Sequence, residues 1–238
     1  MGNNVLIIGA SGDIGLAISE RLVNDGFNVL LHYNENREKI DAFRNKLNGE
    51  AVLAVMQADL SNNDEIKRFL AELVLPVDNI VFASGAGHYG LLQDTSEMVM
   101  DAMLTLNVKA PWMITKHLLP RMIQNRNGKI VFITSIWGSS GASYEVIYSS
   151  VKGAQNSFVK ALAKEVAPSG ITVNAVSPGY IETKMNSHLS MDEKVAILAD
   201  IPVNRAGLPT EIAHSVSFLL DDRSSYIQGE IINITGGW

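Results

Sequence analysis

The sequence predicts an α/β protein in which a doubly wound parallel sheet lies between two layers of helices, three layers in all. Apolar runs of strand length alternate with segments of helical spacing along the whole chain. Of the 238 residues, 47% are hydrophobic and 18% are charged, which suits a packed core. No linker, repeat or low-complexity tract interrupts the alternation, so residues 1–238 are predicted to form a single domain.

The predicted strands are short apolar runs at residues 5–8, 29–32, 52–56, 80–83, 130–134, 172–176 and 230–234. Helical spacing lies between most of them, at residues 14–25, 37–47, 64–73, 98–125, 148–166 and 210–220. Because parallel neighbours need crossover connections, helices are expected on both faces of the sheet. Residues 178–209, called the substrate segment below, have the least regular pattern. We expect them to form a mobile loop that covers a substrate site.

Charge and composition exclude several classes of function. The formal net charge is −6 and no basic run is interleaved with aromatic residues, so binding to nucleic acid is not expected. The chain has no cysteine, which excludes thiolate chemistry, and its histidines lack metal-ligand spacing, so no metal is expected. No signal-peptide core and no membrane-spanning apolar run are present, so a cytoplasmic location without membrane insertion is expected.

A glycine-rich turn follows the first predicted strand directly. The sequence GASGDIG occupies residues 9–15 and leads at once into a helical pattern. Such a turn lets the backbone approach a pyrophosphate while helix amides face its charge. A Rossmann-type domain that binds NAD(P) is therefore predicted, with candidate contacts from Gly9, Ser11, Gly12, Asp13, Ile14 and Gly15.

The end of the second strand bears on the choice between NAD and NADP. NAD-selective sites carry an acidic residue there, whereas this chain has His32, Tyr33 and Asn34. A 2′-phosphate would meet less repulsion, with Arg37 and the Asn34 amide as candidate partners. NADP(H) is the expected cofactor, although Arg37 equally suits a solvated position in the first helical turn.

Asp59 follows the third predicted strand and has two interpretations. Its carboxylate is placed to accept a hydrogen bond from an adenine amine. It would equally serve as a helix cap before Asn62 and Asn63.

Three residues form a candidate catalytic group. Tyr148 and Lys152 are four residues apart in YSSVK, which puts them on one helix face, and Ser135 ends the fifth predicted strand. A nearby ammonium should favour the phenolate of a tyrosine, whose ordinary pKa is about 10. Reduction of a ketone by hydride then has a proton donor in Tyr148, while the Ser135 hydroxyl orients the carbonyl.

Over essentially its whole length the sequence resembles the short-chain dehydrogenase/reductase family, and within it the 3-oxoacyl-acyl-carrier-protein reductases. The motifs are GASGDIG, Asn107 in LTLNVKAPW, ITSIWG around Ser135, YSSVK, ITVNAVSPGYIETKM from Ile171 and the closing ITGGW. The resemblance implies that Asn107 joins the catalytic group by binding a water that links Lys152 to solvent. It also implies a homotetramer built from long helices and the carboxyl-terminal strand.

Further cofactor contacts are expected from Tyr148 and Lys152, of which Lys152 would hold the nicotinamide ribose. Others are expected at positions that follow the predicted strands: Leu60, Ser84, Gly85, Pro178 and Gly179. By the same resemblance Ile181 and Thr183 would contact the nicotinamide amide.

The sequence departs from the family pattern at three places. Asp13 stands where the family has its middle glycine, and Gly12 replaces a basic residue that often contacts the NADP phosphate. Residues 82–85 read FASG where the family has Asn-Asn-Ala-Gly, so the adenosine wall must differ. Arg126, with nearby Lys129, fits one basic position for docking acyl-carrier protein, but Ser169 occupies the second.

The expected function is NADPH-dependent reduction of a ketone, in first place a 3-oxoacyl thioester, with acyl-carrier protein as a candidate carrier. The alternative is reduction of a ketone carried by a protein side chain, such as the 5-aminopentanone modification of elongation factor P. A nucleotide-sensing regulator with silent catalysis is disfavoured because Ser135, Tyr148 and Lys152 are all present.

Several aromatic residues remain open. Trp112 and Trp137 suit packing, and Trp137 equally suits a pocket wall because it closely follows Ser135. His88 and Tyr89 lie after the fourth predicted strand, where they would contact substrate or stand exposed without a task.

Overall fold

The computed structural model describes residues 3–47, 50–187 and 189–238, which form one seven-stranded sheet with helices packed on its faces. The strands are β1 Asn4–Ile8, β2 Asn28–Tyr33, β3 Val52–Gln57, β4 Asn79–Phe82, β5 Gly128–Ile133, β6 Ile171–Pro178 and β7 Ile231–Ile234. The helices are α1 Asp13–Asn24, α2 Arg37–Lys46, α3 Asn63–Glu72, α4 Glu97–Leu104, α5 Ala110–Asn125, α6 Trp137–Ser140, α7 Val146–Val166, α8 Met191–Asp200 and α9 Pro209–Leu220.

The strands are parallel and lie in the order β3-β2-β1-β4-β5-β6-β7. The chain builds outward from β1 to β3 and then returns to place β4 on the other side of β1. Ligands bind at such a switch point, in the crevice outside the carboxyl ends of the strands. The predicted Rossmann-type fold is confirmed.

The apolar runs form strands because both faces of the sheet are buried. Along β1, Leu6 and Ile8 belong to one hydrophobic cluster, and Val5 and Ile7 belong to the cluster on the opposite face. Parallel strands covered by helices on both sides read as continuous apolar runs. Full burial of one such side chain contributes about 1.5–3 kcal/mol. The core thus holds the carboxyl ends of β1, β4 and β5 in fixed register.

The single helix predicted over residues 98–125 is interrupted in the structure. α4 and α5 are separated by a π-helical stretch, Thr105–Lys109. Periodicity did not reveal it because apolar residues continue through the stretch. Such π-helical turns are frequent at functional sites, and Asn107 lies within this one.

The substrate segment is more regular than its pattern predicts. It contains the 3₁₀ turn Lys184–Asn186 and helix α8, while residue 188 lies outside the described part of the chain. α8 begins with a capping box in which the Ser190 hydroxyl accepts from the Glu193 N–H and the Glu193 carboxylate accepts from the Ser190 N–H. The mobility of the segment stays a prediction.

Across the described residues, every helix is too short or too polar to span a bilayer.

Candidate active site

The glycine turn after β1 is built by close approach of two backbones. Gly9 has a φ of +83°, and a Cβ at this position would lie 2.6 Å from the Ser84 backbone. A Cβ at Gly15 would collide with the carbonyl of Gly9, so the start of α1 can approach only without one. The turn therefore packs directly against the chain that leaves β4, at the switch point of the sheet.

His32, which the sequence marked only as a missing carboxylate, holds this turn from β2. The N–H of Gly9 donates to His32 Nδ1 at 3.1 Å, and His32 Nε2 lies 3.0 Å from the Ala58 carbonyl. An amide N–H only donates and a carbonyl only accepts, so the partners require a neutral ring with its proton on Nε2. Burial lowers the pKa of His32 to about 4, which agrees with this tautomer. One imidazole thus joins the glycine turn to the end of β3.

The residues expected near the adenosine phosphate lie at the end of β2 and the start of α2. Tyr33 is buried, and its phenol, together with Asp41, raises the pKa of Arg37. Arg37 is exposed and pairs with Asp41 at 3.3 Å, while the Asn34 carbonyl accepts from Gln57. The position of Arg37 suits both interpretations, so its contact with a 2′-phosphate stays a prediction.

Asp59 folds back on its own turn. Its Oδ1 accepts from the N–H and the hydroxyl of Ser61, at 2.9 and 2.7 Å. The capping alternative is wrong, because the side chain of Asn62 caps α3. The neighbouring Leu60 is buried in the core, so that only its backbone can reach a cofactor.

The three candidate catalytic residues meet at the carboxyl edge of the sheet. Ser135 lies just beyond β5, and Tyr148 and Lys152 lie on the first two turns of α7. The Ser135 hydroxyl lies close enough to the Tyr148 phenol to affect its pKa, and Lys152 Nζ lies 5.7 Å from the centre of the tyrosine ring. The geometry places the Tyr148 phenol and the Ser135 hydroxyl side by side, as their expected roles in ketone reduction require.

Burial sets the ionisation of this group. It raises the pKa of Tyr148 to about 12, with the nearby Ser135 hydroxyl opposing and the Glu145 charge adding to the effect. It lowers the pKa of Lys152 to about 7. The expected downward shift of the tyrosine by the ammonium is therefore not seen, because a low-dielectric surrounding disfavours charge on both groups. In this state the phenol holds its proton.

Gln155, a residue that sequence reasoning missed, connects Lys152 to the π-helical stretch. Lys152 Nζ donates to the Ile133 carbonyl at 2.9 Å and to Gln155 Oε1 at 3.1 Å, and the Gln155 amide donates to the Asn107 carbonyl at 2.7 Å. The spacing of three residues from Lys152 on one helix face was the available signal.

Asn107 presents a buried acceptor without a partner in the described part of the chain. Its Nδ2 donates to the Met103 carbonyl, which leaves Oδ1 unpaired. A Cβ built at Gly85 would lie 3.6 Å from this oxygen and 3.4 Å from Lys152 Nζ. The two polar atoms thus border one small space, as expected for a shared water.

Gly138 allows the turn after Ser135 to approach α7. A Cβ there would lie 2.8 Å from the Lys152 carbonyl carbon and 2.9 Å from Asn156 Nδ2. The spacing between the serine turn and the lysine helix therefore depends on a bare backbone at this point.

A cavity of about 570 Å³ opens above the catalytic group. Trp137 and Trp238 face it as an edge-to-face pair with ring centres 5.1 Å apart. His88 and Tyr89 also line it. The pocket interpretation of Trp137 is therefore the better one, whereas the half-exposed Trp112 packs on Phe158 outside it.

The substrate segment forms the opposite wall. Pro178, Gly179, Ile181 and Thr183 line the cavity, as their expected contact with a nicotinamide requires. The Gly179 N–H already donates to the Ile234 carbonyl at 3.0 Å.

Asp13 does not present a free carboxylate to a cofactor. Its Oδ1 pairs with Lys39 Nζ at 2.9 Å, and its Oδ2 accepts from the backbone N–H of Lys184 at 2.7 Å. Burial raises the pKa of Asp13, but the hydrogen bonds and charges of its two partners outweigh this and hold the pKa below its ordinary value.

The expected basic docking face is smaller than the sequence indicates. Lys129 is buried and binds the Leu220 carbonyl at 2.8 Å and Asp222 Oδ1 at 2.5 Å, so it is no surface cation. Arg126 is exposed. Arg126 lies at the amino end of β5, whereas Ser135 lies at its carboxyl end. The strand has six residues, so the two ends are about 20 Å apart.

A Rossmann-type sheet that brings serine, tyrosine and lysine together beside a glycine turn defines a class of dinucleotide-dependent oxidoreductases. A family profile described as "Enoyl-(Acyl carrier protein) reductase" matches residues 9–238. The chain belongs to the short-chain dehydrogenase/reductase family and is an oxidoreductase.

Individual relatives cover the whole chain. An uncharacterized oxidoreductase, YmfI, of Bacillus subtilis is 47% identical over 100% of this chain and 99% of its own. The 3-oxoacyl-[acyl-carrier-protein] reductase FabG of Staphylococcus epidermidis is 34% identical over 100% and 99%. A putative NAD(P)-dependent gluconate 5-dehydrogenase from Beutenbergia cavernae, solved with bound NADP at low occupancy, superposes with a TM-score of 0.93 at 27% identity. That superposition covers 100% of this chain and 96% of the other.

Proposed function

We propose that the chain reduces a ketone to an alcohol with NADPH as the hydride donor. The observation that carries the proposal is that Tyr148, Ser135 and Lys152 line one cavity, whose wall also includes Ile14 of the glycine turn. The residues present fit a dinucleotide: Gly9 gives backbone access, and the unpaired Asn107 oxygen and Lys152 lie beside Gly85. The structural relative that was solved with NADP supports the choice of cofactor.

The chain's own residues supply binding, orientation and the proton, while a bound nicotinamide supplies the hydride. The Ser135 hydroxyl donates to the carbonyl oxygen of the substrate and stabilises its developing charge. Tyr148 holds its proton at neutral pH because burial raises its pKa to about 12, and it gives this proton to the same oxygen. A water held between Lys152 Nζ and the unpaired Asn107 Oδ1 would bring the replacement proton, while Gln155 accepts from Lys152 and donates to the Asn107 carbonyl and so holds both residues in place.

The leading substrate class is a 3-oxoacyl thioester. The relatives named as 3-oxoacyl-acyl-carrier-protein reductases support it, since they match the chain from end to end. The apolar wall of the cavity, with Ile197 and the Trp137–Trp238 pair, suits an acyl chain.

A second substrate class, an amine-bearing ketone on a protein side chain, is favoured by the acidic residues of the cavity. Glu145 lines it and adds to the rise in the pKa of Tyr148, so its charge is felt at the reacting oxygen; Glu193 lies in the wall opposite. Carboxylates favour a cationic substrate such as the amine of 5-aminopentanone and do nothing for a neutral acyl chain.

A panel of NADPH oxidation assays tests both classes. It compares an acetoacetyl thioester, a free diketone and an elongation factor P that carries the 5-aminopentanone ketone. Glu145→Gln is assayed beside Glu165→Gln, a matched charge removal on the exposed far end of α7. A rise in KM for the amine-bearing ketone alone, with Glu145→Gln alone, establishes the second class. Turnover of none of the three ketones would overturn the reductase proposal.

We also propose that the chain forms a homotetramer. Apolar side chains stand exposed along α4 and α5, among them Met98, Leu104 and Trp112. A patch of this kind marks a contact surface. Sedimentation velocity measures the assembly, and Trp112→Glu should shift it toward smaller species.

A further inference from the structure

Asp13 joins three separate parts of the chain at the mouth of the cavity. It is the first residue of α1, its Oδ1 binds Lys39 on α2, and its Oδ2 binds the Lys184 N–H of the substrate segment. The contact to Lys184 closes a span of 171 residues. This carboxylate stands where the family pattern has a glycine, which has no side chain to make such a contact.

The segment on the other side of this contact shapes the cavity. Lys184 begins the 3₁₀ turn Lys184–Asn186, and Thr183, Met185 and Asn186 line the wall. The Asn186 amide donates to the Ile181 carbonyl at 2.8 Å, so the turn is fastened at its far end as well. The Asp13 bond thus holds the near end of the same turn.

We propose that Asp13 is a positioning residue that fastens the start of the substrate segment to the cofactor helix α1. Both carboxylate oxygens are engaged with protein atoms, which leaves a structural contact as the role of the side chain. Lys39 fixes the carboxylate in the orientation that meets Lys184. Through this contact the wall that meets the ketone is anchored to the turn that meets the cofactor.

Limited trypsin digestion tests the contact between Asp13 and Lys184 without an activity assay. Trypsin cleaves after lysine, and Lys184 is exposed. Cleavage of a folded protein follows the population of the locally open state. Asp13→Ala removes both contacts and should raise cleavage after Lys184 about tenfold, since a hydrogen bond to a charged acceptor is lost. Asp13→Asn keeps an acceptor for the Lys184 N–H and should therefore raise cleavage after Lys184 less than Asp13→Ala does. Lys39→Met leaves the Asp13 carboxylate in place and should raise this cleavage least.

Cleavage after Lys67, which is exposed on the remote helix α3, is the internal reference. If Asp13→Ala leaves cleavage after Lys184 unchanged, the fastening is wrong. If cleavage after Lys67 rises in parallel, Asp13 stabilises the whole fold and the proposal is equally wrong.

Kinetics separate this role from that of a cofactor ligand. Asp13→Ala should raise KM for the ketone about threefold or more, without weakening NADPH binding, because it removes a negative charge from the positive end of a helix that faces phosphate. Weaker NADPH binding with an unchanged KM for the ketone would assign Asp13 to the cofactor and overturn the proposal.

Discussion

The glycine turn and the substrate segment form opposite walls of one site, yet they are held in different ways. The turn is fixed by buried contacts: His32 is 3% exposed and binds Gly9 on one side and Ala58 on the other. The substrate segment carries exposed apolar side chains, with Met191 at 73% and Val195 at 62%. The cofactor half is therefore ordered by the core, whereas the substrate half depends on a few surface contacts.

The largest expected effect is a loss of turnover with retention of NADPH binding. Tyr148→Phe should lose about 100-fold or more in turnover, because the proton donor is removed. NADPH binding, measured by fluorescence titration, should remain near that of the parent protein, since the glycine turn does not contain the tyrosine. Turnover close to normal would show that another group donates the proton.

The cofactor half should respond strongly to loss of the imidazole bridge. Asn at position 32 keeps an acceptor near the Nδ1 position, and Gln keeps a donor near the Nε2 position. His32→Gln should therefore weaken NADPH binding about tenfold, because the Gly9 N–H loses its buried partner.

His32→Asn, which retains that partner, serves as the matched control and should bind more tightly than His32→Gln. Equal losses in the two variants, each with an unchanged melting temperature, would show that the bond to Gly9 does not position the turn.

The same residue predicts a pH dependence of stability. Burial lowers the pKa of His32 to about 4, against an ordinary value of 6.5, so the unfolded chain takes up a proton first as the pH falls. The contribution of the neutral ring is complete above pH 6.5 and is lost as the pH falls toward 4, with a slope of about 1.4 kcal/mol per pH unit. His32→Asn should lack this part of the slope in urea unfolding between those pH values. If the free energy of unfolding of His32→Asn has the same pH dependence as that of the parent protein, the His32 ring is exposed to water and not buried.

Cofactor selectivity should depend more weakly on the rim of the cofactor half. NADPH should be preferred over NADH by about tenfold in kcat/KM, equivalent to ~1.4 kcal/mol. Arg37→Ala should narrow this ratio a few-fold, since the guanidinium is exposed and shared with Asp41. Measurement of kcat/KM for NADPH and for NADH with one ketone checks this prediction. If Arg37→Ala leaves the ratio of the two values unchanged, Arg37 is a surface residue that does not contact the 2′-phosphate.

The smallest expected effect concerns a partner on the amino-terminal edge of the sheet. Arg126→Glu should raise KM for a carrier-bound substrate alone by less than about fivefold, since one exposed pair contributes under ~1 kcal/mol. The burial of Lys129 leaves a weaker basic face than the sequence indicated. A small thioester assayed in parallel should not respond; if it does, Arg126 acts on the fold.

The strands and the meeting of Ser135, Tyr148 and Lys152 at one edge of the sheet were predictable because both follow from local pattern. Apolar runs report burial in a parallel sheet, and a spacing of four residues reports one helix face. Helix α8 was missed although its signal was present, since Ser190 and Glu193 have the spacing of a capping box.

Other features were beyond a single sequence because they are pairings between distant segments. Nothing in the sequence near Lys129 indicates that its ammonium will pair with Asp222, 93 residues later. Nothing near His32 indicates that its two nitrogens meet Gly9 and Ala58. Likewise the direction of the pKa shift of Tyr148 depends on how much water the fold removes, which a motif does not specify.

The contact between Trp137 and Trp238 gives the site an optical reporter. The sequence has three tryptophans, and two of them face the cavity as an edge-to-face pair. A ligand that enters the cavity would displace water from these rings and change their emission, and a reduced nicotinamide held in the same cavity would accept energy from them. Intrinsic fluorescence should therefore report binding of substrate or cofactor in the cavity. Trp112 lies outside the cavity, and its background emission can be removed by mutation.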